Sequence, residues 1–440
     1  MTRYCALLML ALLLLFAVNA PAADWHVCKA TGNNSNPGTA ASPLKNLDAA
    51  LAKAKAGDIV CVAGGVYYGM RDRGYIEVPV PVTLLGGYSP DFTTRDPIAN
   101  PTLIQPTNES AGTSRNALMT LKSSQAGQRF VVDGFIFDAG QRNAYSEKDG
   151  WPEGVETGRL LLPTDNIPPG FKPTVAKPGL FIENPASAGD VLLQNNTFVN
   201  CAMYAVQGGH KAGSFIIRNN VFVANRMAAI EIFGTGGKTG PKGPTAYDGT
   251  VEVAYNTILF PWSRTKELED MGYGVRVMTK LTYNIHHNIL AGSLFAGVDH
   301  TRFNPNAWVS LDNNVFFANK QAPLLYAEAG NVQMERVKVA DFGDLGLASA
   351  TGNEQEFLKL PIDPAYLEGF LSAMYSEETD LAPDSLSNQL RGVFGLPLRG
   401  ELTTQVTMYA NRYSWQKAQA LFGGAPDVGA QTMTLGPALP

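Results

Sequence analysis

The chain has 440 residues and a formal net charge of −5, with an isoelectric point near 5.6. That mildly acidic balance excludes the basic face a nucleic-acid partner requires. Glycine and proline number 44 and 28 but follow no three-residue period, which excludes a collagen-like helix. An ordinary globular chain of this length divides into two or three domains; a solenoid escapes that rule, because its core grows along one axis.

Residues 1–22 read as a signal peptide. Arg3 gives a basic start, Ala6 to Val18 form an apolar core, and Ala20-Pro21-Ala22 supply the small residues of a cleavage site. A membrane anchor is the weaker reading, because Pro21 and Asp24 end the apolar run early. No later segment has the length and apolarity of a span, so a periplasmic or secreted protein is expected. Cys5 leaves with the signal. Cys28 and Cys61 lie in β-like runs, and an oxidising compartment permits a disulfide between them; two buried thiols are the alternative. Cys201 reads as a core residue. No CxxC and no Cys/His cluster occurs, which argues against zinc.

Residues 24–70 combine a tight turn at Asn36-Pro37-Gly38-Thr39, an amphipathic helix from Leu47 to Ala54, and a strand from Ile59 to Val62. A solenoid has raw edges at its ends, and a helix laid across the first coil covers one of them. Val82 to Tyr88 and Phe130 to Phe137 have the β-branched and aromatic character of further strands. Long polar loops are expected at 138–178 and 234–249. From there a phrase recurs: Asn195-Asn196-Thr197-Phe198, Asn219-Asn220-Val221-Phe222, Tyr255-Asn256-Thr257-Ile258, His287-Asn288-Ile289-Leu290 and Asn313-Asn314-Val315-Phe316. Its intervals of 24, 36, 32 and 26 residues suit one coil of a parallel β-helix. Stacked coils place the second asparagines one above another, each amide bonding the next and the buried turn backbone. Beyond residue 330 the repeat is lost, and Asp363 to Leu371 and Trp415 to Phe422 read as helices of an irregular C-terminal cap.

Asn36-Pro37-Gly38-Thr39, Ser42-Pro43, Ala49-Ala50-Leu51, Ala56-Gly57-Asp58 and Gly65-Val66-Tyr67 resemble the N-terminal unit of the pectate-lyase-like right-handed parallel β-helix superfamily. Val82 to Tyr88 resembles its next coils, and Gly424 to Ala430 is similar to its closing strand. The resemblance implies an all-β protein: a right-handed parallel β-helix over 23–330, with an N-terminal capping helix, and a partly helical cap over 331–440 packed on it. It implies no single activity, since the superfamily holds lyases, hydrolases, epimerases and binding proteins.

Strand alternation selects the candidate site. With Val206, Ile230, Val275 and Val298 inward, Gln207, Glu231, Arg276 and Asp299 point outward. At about 4.8 Å per coil they form an exposed polar column, which Phe181 extends. His300, Arg302, Lys280, His210 and Lys211 fall just beyond those strands, where loops overhang the column. Such a face suits an acidic polysaccharide bound by a monomer. In a lyase or epimerase, Arg276 neutralises a uronate carboxylate, and His300 or Lys280 removes the acidified C5 proton. Gln207, Glu231, Asp299 and Arg302 bind substrate, and Glu231 with Asp299 is a candidate calcium pair. A hydrolase reading rests on the same two acids, two coils apart. The paired-aspartate and Gly-His-Gly motifs of polygalacturonases, the Asp-Pro-His-Asp motif of mannuronan epimerases and the Arg-centred motif of pectate lyases are absent. A non-catalytic β-helix that binds glycan or protein, and a salt-bridged solvent face, are therefore competing readings. His286-His287, beside the asparagine line, reads as a satisfied turn pair rather than a metal site.

Overall fold

A computed structural model describes residues 22–68, 75–105, 117–139, 179–182, 188–201, 203–234, 238–240, 243–246, 248–262, 271–328, 333–374, 382–398 and 413–435. The expected signal peptide and most of the loop at 138–178 lie outside them. No helix among the described residues is long and apolar enough to cross a membrane.

Three nine-stranded sheets run the length of the molecule, and nearly every strand pairs in parallel with its counterpart one coil away. Each coil visits them in the same order: Asp190–Gln194 in the first sheet, Thr197–Val199 in the second, Tyr204–His210 in the third. With the right-handed sense that parallel crossovers take, this is the right-handed parallel β-helix.

Backbone geometry explains the recurring phrase. Its first residue turns the corner between the first and second sheets in the left-handed region, with φ of 55° at Asn195, 51° at Asn219, 53° at Tyr255, 54° at His287 and 54° at Asn313. Asparagine tolerates that region better than most side chains. The second residue points inward. Asn256 Oδ1 accepts from the backbone N–H of Asn220 at 3.0 Å and from its Nδ2 at 3.0 Å. Asn256 Nδ2 in turn donates to the Ile217 carbonyl at 2.8 Å and to Asn288 Oδ1 at 3.0 Å. The same pattern links Asn196 to Asn220 and continues through Asn288 and Asn314 to Asn353, a rung outside the repeated phrase. Corner backbone groups that no strand could satisfy are thereby satisfied inside the core.

Beside the amides the core is a stack of like on like. Phe137, Phe198 and Phe222 are fully buried, with centroids 4.7 and 4.8 Å apart and planes within 5°. That distance is the strand spacing itself, so each ring covers the one below. At the N-terminal end Leu47–Leu51 forms a short helix that buries Leu47, Ala50 and Leu51. At the far end Glu335–Val337 adds an antiparallel strand to the third sheet, and Phe342 inserts edge-on against Phe316 at 5.4 Å.

Three expectations are corrected. Cys28 and Cys61 are free buried thiols, as is Cys201. Cys61 pairs in register with His26, so Cys28 stands two positions further along the strand direction. A strand spacing of about 4.8 Å and a rise of about 3.3 Å per residue put their Cα atoms about 8 Å apart, too far for a bridge. Gly424 to Ala430 forms bends and turns, not a closing strand. The C-terminal region, moreover, does more than sit on the last coils: it runs back along the outer face of the second sheet. Tyr366, Phe370, Leu390, Tyr413 and Leu421 pack there against Val199, Val223, Leu259 and Ile289. The N–H of Tyr413 donates to Asn200 Oδ1 at 2.9 Å, and Gln419 Nε2 reaches the Pro97 carbonyl at 3.3 Å.

Candidate functional site

The third sheet places the four column residues on adjacent rungs: Gln207 opposite Glu231, Glu231 opposite Arg276, Arg276 opposite Asp299. Phe181 continues the column below Gln207, and Leu325 continues it above Asp299. Val206, Ile230, Val275 and Val298 are buried in the core, so the alternation is as the sequence implies.

Exposure differs from expectation. Glu231, Arg276 and Asp299 are 5%, 3% and 0% exposed, and Gln207 is half-buried. Charges withdrawn from water this far require partners, and the four side chains supply them to one another. Arg276 Nη1 donates to Glu231 Oε2 at 2.7 Å, and its Nε donates to Asp299 Oδ2 at 2.8 Å. Gln207 Nε2 donates to Glu231 Oε1 at 2.7 Å. Asp299 Oδ1 accepts from the Thr301 hydroxyl at 2.6 Å and its N–H at 3.1 Å. Burial pulls the Arg276 pKa down, but Asp299 and Glu231 outweigh it, and the guanidinium is held charged more firmly than in water. Arg276 Nη2 is buried and makes no hydrogen bond.

Sequence reasoning missed the residues beside this column. Tyr204, Met227 and Tyr273 are buried in an outer apolar cluster, with Met203, Met271 and Phe295 half-exposed at its margin. Tyr273 and Phe295 meet edge-on at 5.4 Å, and the Arg276 guanidinium carbon lies 5.1 Å from the Tyr273 ring centre. The Tyr204 hydroxyl is 3.4 Å from Arg276 Nη1; burial, then the Glu231 charge, raise its pKa. The signal was available. Tyr204 precedes Gln207 by the same three positions that separate Tyr273 from Arg276.

His300 does not overhang the column. It lies on the inward side of its strand, 2% exposed, with Nε2 3.0 Å from Asn306 Oδ1 and Nδ1 unpartnered. Burial lowers its pKa against the opposing effects of Asn306 and Asp299. His210 is likewise internal, with Nε2 2.9 Å from the Gly213 carbonyl. Lys211, Lys280 and Arg302 are exposed in turns beyond the strand ends. His286 and His287 bring their Nδ1 atoms to 3.0 Å at the opposite corner, with Tyr255 stacked on His287. No group of three or more metal-ligating side chains occurs among the described residues.

Chemically, Glu231 and Asp299 are both acceptors of one guanidinium, which lies between them. What the flank exposes is the apolar margin of Met203, Met271 and Phe295 and, in the column, half-buried Gln207.

A family model described as "Protein of unknown function (DUF1565)" matches residues 30–145, which include the first coils. No curated protein matches the chain. Among solved structures it is similar to pectate lyase Pel9A, at 14% identity over 72% of this chain and 74% of that one, with a TM-score of 0.33. It is similar to XylC in complex with xylose, at 11% identity over 67% and 62%, with a TM-score of 0.30. A rhamnogalacturonan lyase is similar at 10% identity over 71% and 79%, with a TM-score of 0.24.

Proposed function

We propose that this chain is a polysaccharide-binding β-helix protein that works outside the cytoplasm, with a glycan lying along the third sheet. The carrying observation is the pairing of apolar and polar surface on that flank. Met203, Met271 and Phe295 give part-exposed apolar surface, and half-buried Gln207 gives hydrogen-bonding capacity beside it. A pyranose has an apolar face and an equatorial ring of hydroxyls, and the two surfaces complement both.

Lyase or epimerase turnover requires a base next to Arg276. Among the described residues, His300 faces the core, Lys280 stands in a turn beyond its strand end, and the Tyr204 hydroxyl, 3.4 Å from Arg276 Nη1, has its pKa raised by burial. Binding without turnover is therefore the expected result, and calcium is not required, since Glu231 and Asp299 already serve Arg276. Affinity electrophoresis and calorimetry against a polysaccharide panel test the reading, with ultraviolet absorbance of unsaturated products recorded in parallel. Phe295→Ala should weaken binding about tenfold, the value of one stacked ring. A folded protein that binds no polysaccharide, or a rising absorbance that Arg276→Met abolishes, would overturn it.

A further inference from the structure

We infer that export cuts this chain between Ala22 and Ala23, and that the α-ammonium so created is a structural cation held by Asp58; the inference rests on the extracytoplasmic placement proposed above and not on glycan binding. Two independent observations meet at that bond. In the sequence, Ala20 and Ala22 give the small-x-small pattern that ends a signal peptide. In the fold, Ala23 is where the chain becomes tied down. Its N–H donates to Asp58 Oδ1 at 2.9 Å, and its carbonyl accepts from the Ile59 N–H at 3.0 Å. Ala22, one residue earlier, is exposed. The first strand, Asp24–Val27, starts one residue later and pairs with Ile59–Ala63.

Asp58 is 5% exposed, and a carboxylate withdrawn this far from water calls for a compensating charge. Its Oδ2 accepts from the Trp25 indole N–H at 3.0 Å and from the Lys55 N–H at 2.9 Å. Burial pushes its pKa up, but the Lys55 N–H, the Trp25 indole and the Ala23 N–H together hold it below the ordinary value. In the uncut chain those three donors are all neutral. The exposed Lys55 ammonium adds a weaker attraction through space. Asp24, the next residue, is exposed, and its charge acts on Cys61 and Tyr88. Hydrolysis supplies the missing cation. Water adds across the Ala22–Ala23 amide, Ala22 leaves with the new carboxylate, and the Ala23 nitrogen takes up a proton at neutral pH, because a free α-amino group titrates near about 8. A nitrogen in the same place, 2.9 Å from Asp58 Oδ1, then makes a charge-assisted hydrogen bond, about twice as strong as the neutral one. A cut one bond later, before Asp24, would discard that donor.

The experiment expresses the full chain in a bacterium and reads the recovered protein by intact mass and N-terminal sequencing. Ala23 is the expected first residue, and Ala22→Leu should leave the leader attached. The ion pair is read by reductive methylation of the α-amine near neutral pH, located by peptide mass mapping, in the folded protein and again in urea. Asp58 favours the protonated, unreactive amine, so the folded rate should be at least about threefold lower than the unfolded one. Asp58→Asn should abolish that difference, with circular dichroism as the check on folding. A different first residue, or a folded exported protein that keeps residues 1–22, would overturn the cleavage assignment and leave the extracytoplasmic placement intact. A chain that stays in the cytoplasm would overturn both. Equal rates in folded and unfolded protein, or a slow rate that folded Asp58→Asn retains, would overturn the ion pair.

Discussion

Replacing Arg276 by methionine is the sharpest test of how the third-sheet flank is held. The substitution keeps an unbranched stem of similar reach and deletes the guanidinium, leaving Glu231 with Gln207 and Asp299 with Thr301 as their remaining partners. Side-chain exposures in the two ion pairs are 3% against 7% and 3% against 0%, so water cannot substitute for the lost cation. Removing one partner of a buried ion pair costs about 3–5 kcal/mol, mostly because a charge is left uncompensated. Urea unfolding should show that loss as a lower midpoint with an unchanged slope. The cost is electrostatic, so Arg276→Met combined with Glu231→Gln and Asp299→Asn should recover most of it. The exposed pair of Arg129 and Asp190, at 3.6 Å with exposures of 39% and 38%, is the control; Arg129→Met should cost less than about 1 kcal/mol. An Arg276→Met protein within about 0.5 kcal/mol of the natural one, or a triple variant no better than the single, would refute the reasoning.

Three further outcomes are expected. Asn256→Ala removes the acceptor of the Asn220 N–H and a donor to the Ile217 carbonyl, and at about 1–3 kcal/mol per buried orphan it should cost about 3 kcal/mol in urea; Asn353→Ala, at the half-exposed end of the line, should cost about 1 kcal/mol. His210 and His300 have folded pKa values lowered by burial, so the unfolded chain binds their protons first; stability should be full above about pH 6.5 and fall as pH drops below it, and His300→Gln should flatten that fall in a pH series of unfolding curves. Mass spectrometry after alkylation under denaturing conditions should label Cys28, Cys61 and Cys201 equally with and without prior reduction; a mass lower by a bridged pair would contradict the register at His26 and Cys61.

Much of this architecture was legible from particular residues. The recurring asparagine phrase fixed coil length and corner position, because a left-handed residue followed by an inward amide is a local requirement. Strand alternation then put Gln207, Glu231, Arg276 and Asp299 on one line. Their burial was not legible, because alternation says which way a side chain points and nothing of what lies over it. His300 was misplaced for the opposite reason: it shares the inward parity of Val298, and alternation applied one residue further would have turned it to the core. The course of the C-terminal region had a signal that went unread. Thr197-Phe198-Val199, Val221-Phe222-Val223 and Ile289-Leu290-Ala291 are apolar on both faces, which a strand with one wet side is not.

In most solenoids each repeat touches only its neighbours, so the array can fray from an open end. Here residues 413–431 cross several coils at once, bonding Asn200, Asn219, Thr257 and His287 as well as Pro97. Such a lengthwise brace couples rungs that would otherwise be thermodynamic strangers, and the consequence expected is melting as one cooperative block instead of peeling turn by turn.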